Sequence, residues 1–251
     1  MNDTRKQSAH FDAVWDKPLL EIPDYIPRDP RLPLIGSVEG KRVLDLGSGS
    51  GEWAIYLALL GGCVTATDIS LQGLRQIAIG AERWKVSERL ETMYADAHKL
   101  PFADESFDVV HGQFILHHLN VELAAPEIAR VLRPGGVAVF LENSANNLFL
   151  MLARRFLVGR FGIAKNSVEG EYPFRQEDFE WMRRAFGNGE VFYYEFQCLR
   201  MIDEKLFGNR RIVGWLDPLL YRLVPPLRAY GYTQWLRFRR TGAVPPTKPH
   251  R

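Results

Sequence analysis

The sequence of 251 residues contains only two cysteines, Cys63 and Cys198, which lie far apart in the chain. Two isolated cysteines provide neither a disulfide framework nor a paired-cysteine metal site, so we expect a reducing, cytoplasmic environment. No apolar run approaches the ~18 residues of a membrane-spanning helix. The polar N-terminus, MNDTRKQSAH, does not have the apolar core of a signal peptide. We find no internal repeat and no low-complexity region.

An excess of charge of one sign is also missing. The formal net charge is +2, which argues against the broad basic surface of a nucleic-acid-binding protein. This balance conceals a difference between two regions of the chain. Residues 40–143 contain nine Lys or Arg and thirteen Asp or Glu, whereas residues 200–240 contain nine basic and three acidic residues. The C-terminal part is therefore a basic segment.

Apolar strands alternate with helices along the middle of the chain. The predicted strands are RVLDLG, CVTATD, LETMYADA, FDVVHGQF and VAVFLEN, and the predicted helices are GEWAIYLALLG, LQGLRQIAIGAERWK and VELAAPEIARVL. This alternation predicts an α/β fold with a Rossmann-like, doubly wound, mostly parallel sheet. Two later segments, EVFYYEFQC and QWLRFRR, are predicted as antiparallel strands. Together they complete a seven-stranded sheet.

Three zones follow from this pattern. Residues 1–40 combine a short helical candidate near Phe11–Trp15 with a proline-rich stretch, and we predict a lid or strap because proline interrupts helices and sheets. Residues 41–143 form the ligand-binding core. Residues 144–251 are rich in aromatic residues and arginine, and we expect them to supply a substrate-side insertion and the C-terminal strands of the same domain.

The stretch VLDLGSGSGEW places three glycines, Gly47, Gly49 and Gly51, between a strand and a helix. Glycine lets the backbone turn sharply and approach a ligand closely, and the helix start offers free N–H groups to an anion. The dinucleotide fingerprint requires a third glycine where this chain has Glu52. A pyrophosphate would fit poorly beside Glu52 and Asp45. We therefore predict a zwitterion here, with its carboxylate on the backbone amides and its ammonium facing Asp45.

The next strand ends at Asp68, a position from which a carboxylate can accept hydrogen bonds from two ribose hydroxyls. A ribose beside a zwitterion indicates a nucleoside joined to an amino acid. The motifs VLDLGSGSGEWAIYLA, VTATDIS, ADAHKLPFADESFDVVHGQFILHHL and IARVLRPGGVAVFLEN resemble, in order, the motifs of class I S-adenosylmethionine-dependent methyltransferases. The similarity covers roughly residues 41–143 and is greatest to the type 11 group, which acts mostly on small molecules.

The resemblance implies S-adenosyl-L-methionine as cofactor and S-adenosyl-L-homocysteine as product. It also implies which residues bind the cofactor: the methionine portion by the loop from Asp45 to Gly51, the ribose by Asp68, the adenine by the next loops, and the sulfonium region by the end of the fourth strand. These residues are Asp45, Gly47, Ser48, Gly49, Gly51, Asp68, Ile69, Asp96, Ala97 and Gln113.

A hydroxyl or an acidic carbon as acceptor requires a base. His117 and His118 follow the fourth strand at the carboxyl edge, where ligands lie in such sheets, and imidazole titrates in the useful range. The sequence does not separate the two, and either one is equally interpreted as a packing or capping residue. Tyr172 is predicted to border the acceptor or to pack as an ordinary aromatic residue. His10 and Glu171 are further candidates for the base.

His98, His111, His117 and His118 do not have the cysteine partners or the spacing of a metal site. We expect adjacent histidines to point apart, and we predict no bound metal. The segment HFDAVWDK, which begins at His10, predicts a short amphipathic helix with Phe11 and Trp15 on one face. In the family such aromatic residues often shield the sulfonium by cation–π attraction. Simple packing against the sheet is the alternative.

The basic C-terminal segment allows three interpretations. Its arginines could bind an anionic substrate, or the segment could contact an anionic membrane surface or a lipid-linked substrate. The third interpretation is an arginine-bearing edge strand and a helix that covers the core. Pro218, Pro225 and Pro226 limit any helix to short pieces. The arginines are Arg210, Arg211, Arg222, Arg228, Arg237, Arg239 and Arg240.

The leading hypothesis is methyl transfer to a small molecule, such as a natural product or a lipid-linked or anionic metabolite. A nicotinamide-dependent oxidoreductase and a non-catalytic cofactor-binding protein are the alternatives, because fold alone does not prove chemistry. We expect no nucleic-acid substrate, since GQFI stands where an NPPY-type motif would follow the fourth strand. The acceptor atom, protein methylation and the oligomeric state are left open.

Overall fold

The computed structural model describes residues 4–15, 21–23, 26, 29, 31–146, 151, 172–193, 199, 203 and 212–242. Its strands are β1 Arg42–Leu46, β2 Cys63–Asp68, β3 Leu90–Tyr94, β4 Phe107–Gln113, β5 Leu132–Asn143, β6 Glu190–Phe192 and β7 Thr233–Arg239. Its helices are α1 Thr4–Val14, α2 Arg31–Ile35, α3 Glu52–Leu59, α4 Leu71–Arg83, α5 Val121–Val131, α6 Gln176–Phe186 and α7 Leu216–Leu223. Short 3₁₀ helices span Leu116–His118 and Pro225–Tyr230.

These strands form one sheet in the order β3-β2-β1-β4-β5-β7-β6. Strands β1 to β5 pair in parallel, and β7 runs antiparallel to both β5 and β6. The predicted fold class is thereby confirmed. From β1 the chain first adds β2 and β3 at one edge of β1, and it then crosses back to add β4 at the opposite edge of β1. The carboxyl ends of β1 and β4 therefore flank a topological switch point, where ligands bind in open α/β sheets.

Helices cover both faces of the sheet, which explains why the central strands are apolar almost throughout. Neighbouring residues of a strand point to opposite faces. Val43 packs with residues of α3 and α4, such as Ile55 and Ile77. Leu44 packs on the other face with residues of α5 and β7, including Ile128 and Phe238. The sheet thus has a core on each side, and its carboxyl edge is left for the connecting loops.

The terminal regions differ in detail from the sequence expectation. The predicted N-terminal helix near Phe11 begins earlier, at Thr4, and ends at Val14. Strand β6 covers Glu190–Phe192 of the predicted EVFYYEFQC segment, and residues 194–198, with Cys198, lie outside the described residues. Among the residues described, no helix has the length and apolarity needed to cross a membrane.

Candidate active site

A cavity of about 400 Å³ lies at the carboxyl edge of the sheet, over the switch point. The loops that follow β1, β2, β3 and β4 form its walls, and α1 closes one side. Asp45, Gly47, Ser48, Gly49, Asp68, Ile69, Asp96, Ala97 and Gln113 line it. The structure thus brings together nine of the ten residues that the sequence assigned to a cofactor.

The loop after β1 requires glycine for two separate reasons. Gly47 and Gly49 have φ angles of 65° and 53°, in the left-handed region that L side chains rarely adopt. A Cβ atom on Gly47 would stand 2.6 Å from the Ile115 side chain, and one on Gly49 would stand 3.0 Å from the Trp15 ring. Gly51 is the N-cap of α3 and does not line the cavity; its Cβ would stand 2.6 Å from Ile77. Its place is therefore in the turn, behind the cavity wall.

Asp68 is buried at the end of β2 and is held by the backbone on both sides. Its Oδ2 accepts the Gly49 N–H at 2.9 Å, and its Oδ1 accepts the Ser70 N–H at 2.8 Å. Burial raises the pKa of this carboxyl, against the lowering effect of the Ser70 and Gly49 N–H donors. Each carboxylate oxygen has two lone pairs. A fixed carboxylate with remaining acceptor capacity therefore faces the cavity.

Asp45 makes a contact that the sequence did not predict. Its Oδ1 lies 2.6 Å from the Nδ1 of buried His111, which stands beside it in the β1–β4 register. The His111 ring stacks on Trp53 with centroids 4.7 Å apart. All three side chains line the cavity. Asp45 thus belongs to a buried acid–imidazole pair in addition to facing the ligand space.

Asp96 organises the loop after β3. Its Oδ1 accepts the His98 N–H at 2.9 Å and lies 2.6 Å from His98 Nδ1. His98 Nε2 accepts the Asn120 N–H at 2.9 Å, just before α5. This chain of contacts ties the loop after β3 to the start of α5, with Asp96 and Ala97 at the cavity wall.

The electrostatic character of the cavity distinguishes between ligand classes. Four carboxylates line it, from Asp45, Glu52, Asp68 and Asp96, and the described lining contains no lysine or arginine. A dinucleotide pyrophosphate would meet like charge here. A ligand with a ribose diol and a positive centre fits this lining, and Phe11, Trp15, Trp53 and Phe114 add aromatic faces that attract a cation.

Helix α1 is fastened on both sides of the cavity. The Ser8 hydroxyl donates to the Ile69 carbonyl at 2.8 Å. Asp12 Oδ1 accepts the Ser70 hydroxyl at 2.7 Å and the Gln72 N–H at 2.9 Å. On the opposite side, the Phe11 ring lies edge-on to His118 with centroids 5.2 Å apart. Phe11 and Trp15 line the cavity, whereas His10 is exposed and does not.

The structure separates the two histidines that the sequence could not. His118 lines the cavity. His117 lies behind it, with Nδ1 2.7 Å from Oε2 of Glu142, whose Oε1 accepts the Leu116 N–H at 2.6 Å. Glu142 is fully buried at the end of β5. The expectation that adjacent histidines point apart is wrong, because residues 116–118 form a 3₁₀ turn and the two ring centroids are only 4.0 Å apart.

Tyr172 is 64% exposed and does not line the cavity. Glu171 lies outside the described residues, as do Arg210 and Arg211 of the basic segment. Sequence reasoning also missed several cavity residues and one residue behind the cavity wall: Gln7, Glu52, Trp53, His98, His111, Phe114, Ile115, Leu119 and Glu142. Of these, His111 and Glu142 share a detectable signal, an ionisable side chain that directly follows an apolar run within its strand.

Comparison with known proteins bears directly on this site. The chain matches the methyltransferase domain family over residues 44–140. It is 32% identical, over 189 residues, to demethylmenaquinone methyltransferase from Staphylococcus aureus strain MRSA252, across 71% of this chain and 72% of that protein. The chain belongs to the class I S-adenosylmethionine-dependent methyltransferases. The predicted family is thus confirmed.

Solved structures agree with this methyltransferase fold. A geranyl diphosphate methyltransferase in complex with S-adenosylmethionine superposes with a TM-score of 0.57 at 14% identity, covering 84% of this chain and 82% of that one. The 4+2 cyclase SpnF superposes with a TM-score of 0.55 at 20% identity, covering 96% and 85%. At such identities the likeness shows the fold alone. S-adenosylmethionine is the cofactor of this methyltransferase, and the acidic lining, with no lysine or arginine among its described residues, accords with it and not with a nicotinamide dinucleotide.

Proposed function

We propose that this methyltransferase methylates a lipophilic small molecule that carries an ionisable hydroxyl, of the demethylmenaquinol class. The observation that carries the proposal is the position of His118, a proton acceptor that lines the cavity together with the apolar side chains of Phe11, Phe114 and Leu119. The relative that acts on demethylmenaquinone supports the choice of acceptor. The choice of a demethylmenaquinol-like acceptor thus rests on the position of His118 and on the relative that acts on demethylmenaquinone.

We propose that the cofactor occupies the cavity in the orientation that the family resemblance implies. Asp68 would accept the ribose hydroxyls, and the loop from Gly47 to Gly49 would hold the methionine portion beside Asp45. Asp96, Ala97 and Ile69 would flank the adenine, and Gln113 would lie near the sulfonium region. When bound, S-adenosylmethionine supplies an electrophilic methyl group. The protein's part is to position the acceptor, exclude water and accept a proton.

His118 is the proposed general base, which takes the hydroxyl proton of the acceptor at a ring nitrogen. Removal of that proton makes the adjacent ring carbon more nucleophilic. That carbon would bond to the methyl group as the bond between methyl and sulfur breaks, and it would then lose its own proton, which restores the aromatic ring. His117 would act as a positioning residue. An ionised Glu142 can only accept a hydrogen bond, so it fixes the His117 proton on Nδ1. The His117 ring, held in this way, supports the face of His118.

The acceptor would enter from the side formed by residues 1–40 and 144–251, which we propose surround the cofactor-binding core of residues 41–143. An acceptor of this class resides in a bilayer, so we propose that the enzyme contacts a membrane peripherally.

The test is transfer of labelled methyl from S-adenosylmethionine to a demethylmenaquinol with a short tail, kept reduced and separated into an organic phase. We expect transfer by the wild type and a loss of roughly 100-fold or more in kcat for His118→Asn, the usual contribution of a general base. His10→Asn, which changes an exposed histidine outside the cavity, is the matched control. Cofactor binding without transfer to this acceptor would refute the proposed acceptor. Equal loss in both variants would refute the role of His118.

A further inference from the structure

Helix α7 turns its apolar side to solvent. Ile212, Trp215, Leu219 and Leu223, here called the apolar ridge, are 50%, 61%, 44% and 65% exposed. Residues 215, 219 and 223 recur every four positions and therefore share one face of the helix. The acidic residue of the helix shows the opposite behaviour, since Asp217 is only 6% exposed. An ordinary surface helix has the reverse arrangement.

This orientation is fixed by contacts on the inner side of α7. Asp217 Oδ1 accepts the Leu199 N–H at 3.0 Å. The Tyr221 hydroxyl donates to the Tyr193 carbonyl. The Arg228 guanidinium lies 4.5 Å from the Tyr221 ring centroid and donates to the Tyr221 carbonyl at 2.9 Å. Because these contacts hold the inner face of α7 against the protein, the apolar ridge on the opposite face points to solvent.

The ridge lies at the same edge of the sheet as the cofactor cavity. Helix α7 leads through the 3₁₀ helix Pro225–Tyr230 into β7, whose first residue pairs with the last residue of β5. Tyr193, which holds α7, directly follows β6. Because β7 is antiparallel to both β5 and β6, these junctions lie at the carboxyl edge. A surface that docks through the ridge would face the side on which the cavity opens.

We propose that the apolar ridge docks the enzyme on the surface of an anionic lipid bilayer. Charge complementarity selects this occupant. Among the described residues 212–230 the charged side chains are the exposed Arg222, the half-buried Arg228 on Tyr221 and the inward-turned Asp217, so the charge presented outward is positive. Tryptophan and leucine beside arginine suit the boundary between headgroups and acyl chains. The four ridge residues offer roughly half of the ~800 Å² per partner that a stable interface between two proteins buries.

Docking on a bilayer would serve the proposed function, in which the acceptor resides in the bilayer. Binding to vesicles can nevertheless be measured without any acceptor. Purified protein is sedimented with vesicles of phosphatidylcholine alone or with one third phosphatidylglycerol. We expect binding to the anionic vesicles, at least tenfold weaker binding for Leu219→Asp and Trp215→Ser, and a similar loss for Arg222→Glu. Ile79→Asp, which places the same charge on an exposed isoleucine of α4, is the matched control and keeps wild-type binding.

Three results would overturn the inference: no binding to anionic vesicles, equal binding by the ridge variants, or a wild-type dimer in light scattering that Leu219→Asp dissociates. The last would assign the ridge to a second copy of this chain. Methyl transfer to a short-tailed, soluble acceptor is measured in parallel and should be unchanged in Leu219→Asp. Loss of vesicle binding with intact transfer isolates the ridge, whereas absence of transfer in the wild type refutes only the proposed acceptor.

Discussion

Asp68 couples cofactor binding to pH. Burial raises the pKa of this carboxyl in the free protein, whereas hydroxyl donors of a bound ribose would stabilise the ionised form and lower that pKa. Between the lower pKa of the bound form and the raised pKa of the free form, binding therefore releases a proton. Cofactor affinity is greatest above the raised pKa and falls toward acid, by at most about tenfold per pH unit, until the pH reaches the pKa of the bound form. Titration calorimetry between pH 4.5 and 8 should show this loss toward acid.

Asp68→Asn is the comparison for that titration, since it retains the size of the side chain. It should bind the cofactor roughly 10-fold to 100-fold more weakly at neutral pH, because hydrogen bonds to a charged group contribute about 1.5–3 kcal/mol. The part of the acid dependence that comes from Asp68 should disappear, so the affinity of this variant should fall less steeply toward acid than that of the wild type. Parallel pH curves for the two proteins would show that Asp68 does not bind the ribose.

Glu142 tests the arrangement behind His118. Glu142→Gln retains an acceptor for the Leu116 N–H but presents an amide donor to His117 Nδ1, so it reverses the favoured tautomer of His117. We expect kcat to fall about 10-fold to 100-fold, with the pH–rate profile displaced. The KM of the cofactor should be unchanged. A purely structural role would instead lower thermal stability and leave the shape of the pH profile as it is.

At the scale of the element, we propose that α1, which forms one side of the cavity, controls access to it. Ser8 and Asp12 connect it to residues 69–72, and each neutral or exposed hydrogen bond contributes about 0.5–1.5 kcal/mol. The double variant Ser8→Ala, Asp12→Ala should therefore release cofactor about 10-fold faster. Stopped-flow fluorescence of Trp15, which lines the cavity, can follow the release.

Lys6→Ala is the control for the α1 experiment, because Lys6 is exposed on the same helix and lies away from the three hydrogen bonds. An unchanged release rate in the double variant would mean that α1 is a passive cover. An equal acceleration in Lys6→Ala would mean that helix stability, and not these hydrogen bonds, sets the rate.

The helices and strands also show how much of the fold and of the site can be predicted from the sequence alone. The alternating strands, the glycine turn and Asp68 are local patterns, so their places at the carboxyl edge follow from chain order and parallel pairing. The Asp45–His111 contact depends on the register between β1 and β4, which no local pattern specifies. The close approach of the His117 and His118 rings depends on a 3₁₀ turn of three residues. These two contacts could therefore not be predicted from the sequence, because they depend on strand pairing across the sheet and on a short turn.

At the scale of the whole molecule, Arg240 joins the last strand to the centre of the fold. It is buried, and its guanidinium donates to the carbonyls of Arg130 and Leu132 and to Glu105. Arg240→Ala leaves buried carbonyls without this donor and should reduce the free energy of unfolding by about 2–3 kcal/mol. Urea denaturation measures the change, with exposed Arg239→Ala as the control. A difference below about 0.5 kcal/mol, the usual effect of a surface substitution, would contradict this role.

The position of β7 between β5 and β6 determines how late in synthesis the sheet can be completed. This strand, close to the C-terminus in the sequence, fills an interior place in the sheet, so β5 keeps an unpaired edge until Thr233–Arg239 has left the ribosome. An unpaired strand edge invites pairing with other chains. The nascent enzyme is thus vulnerable to aggregation until β7 has been synthesised and paired, and a chain cut short before β7 leaves β5 as an open edge of the methyltransferase sheet.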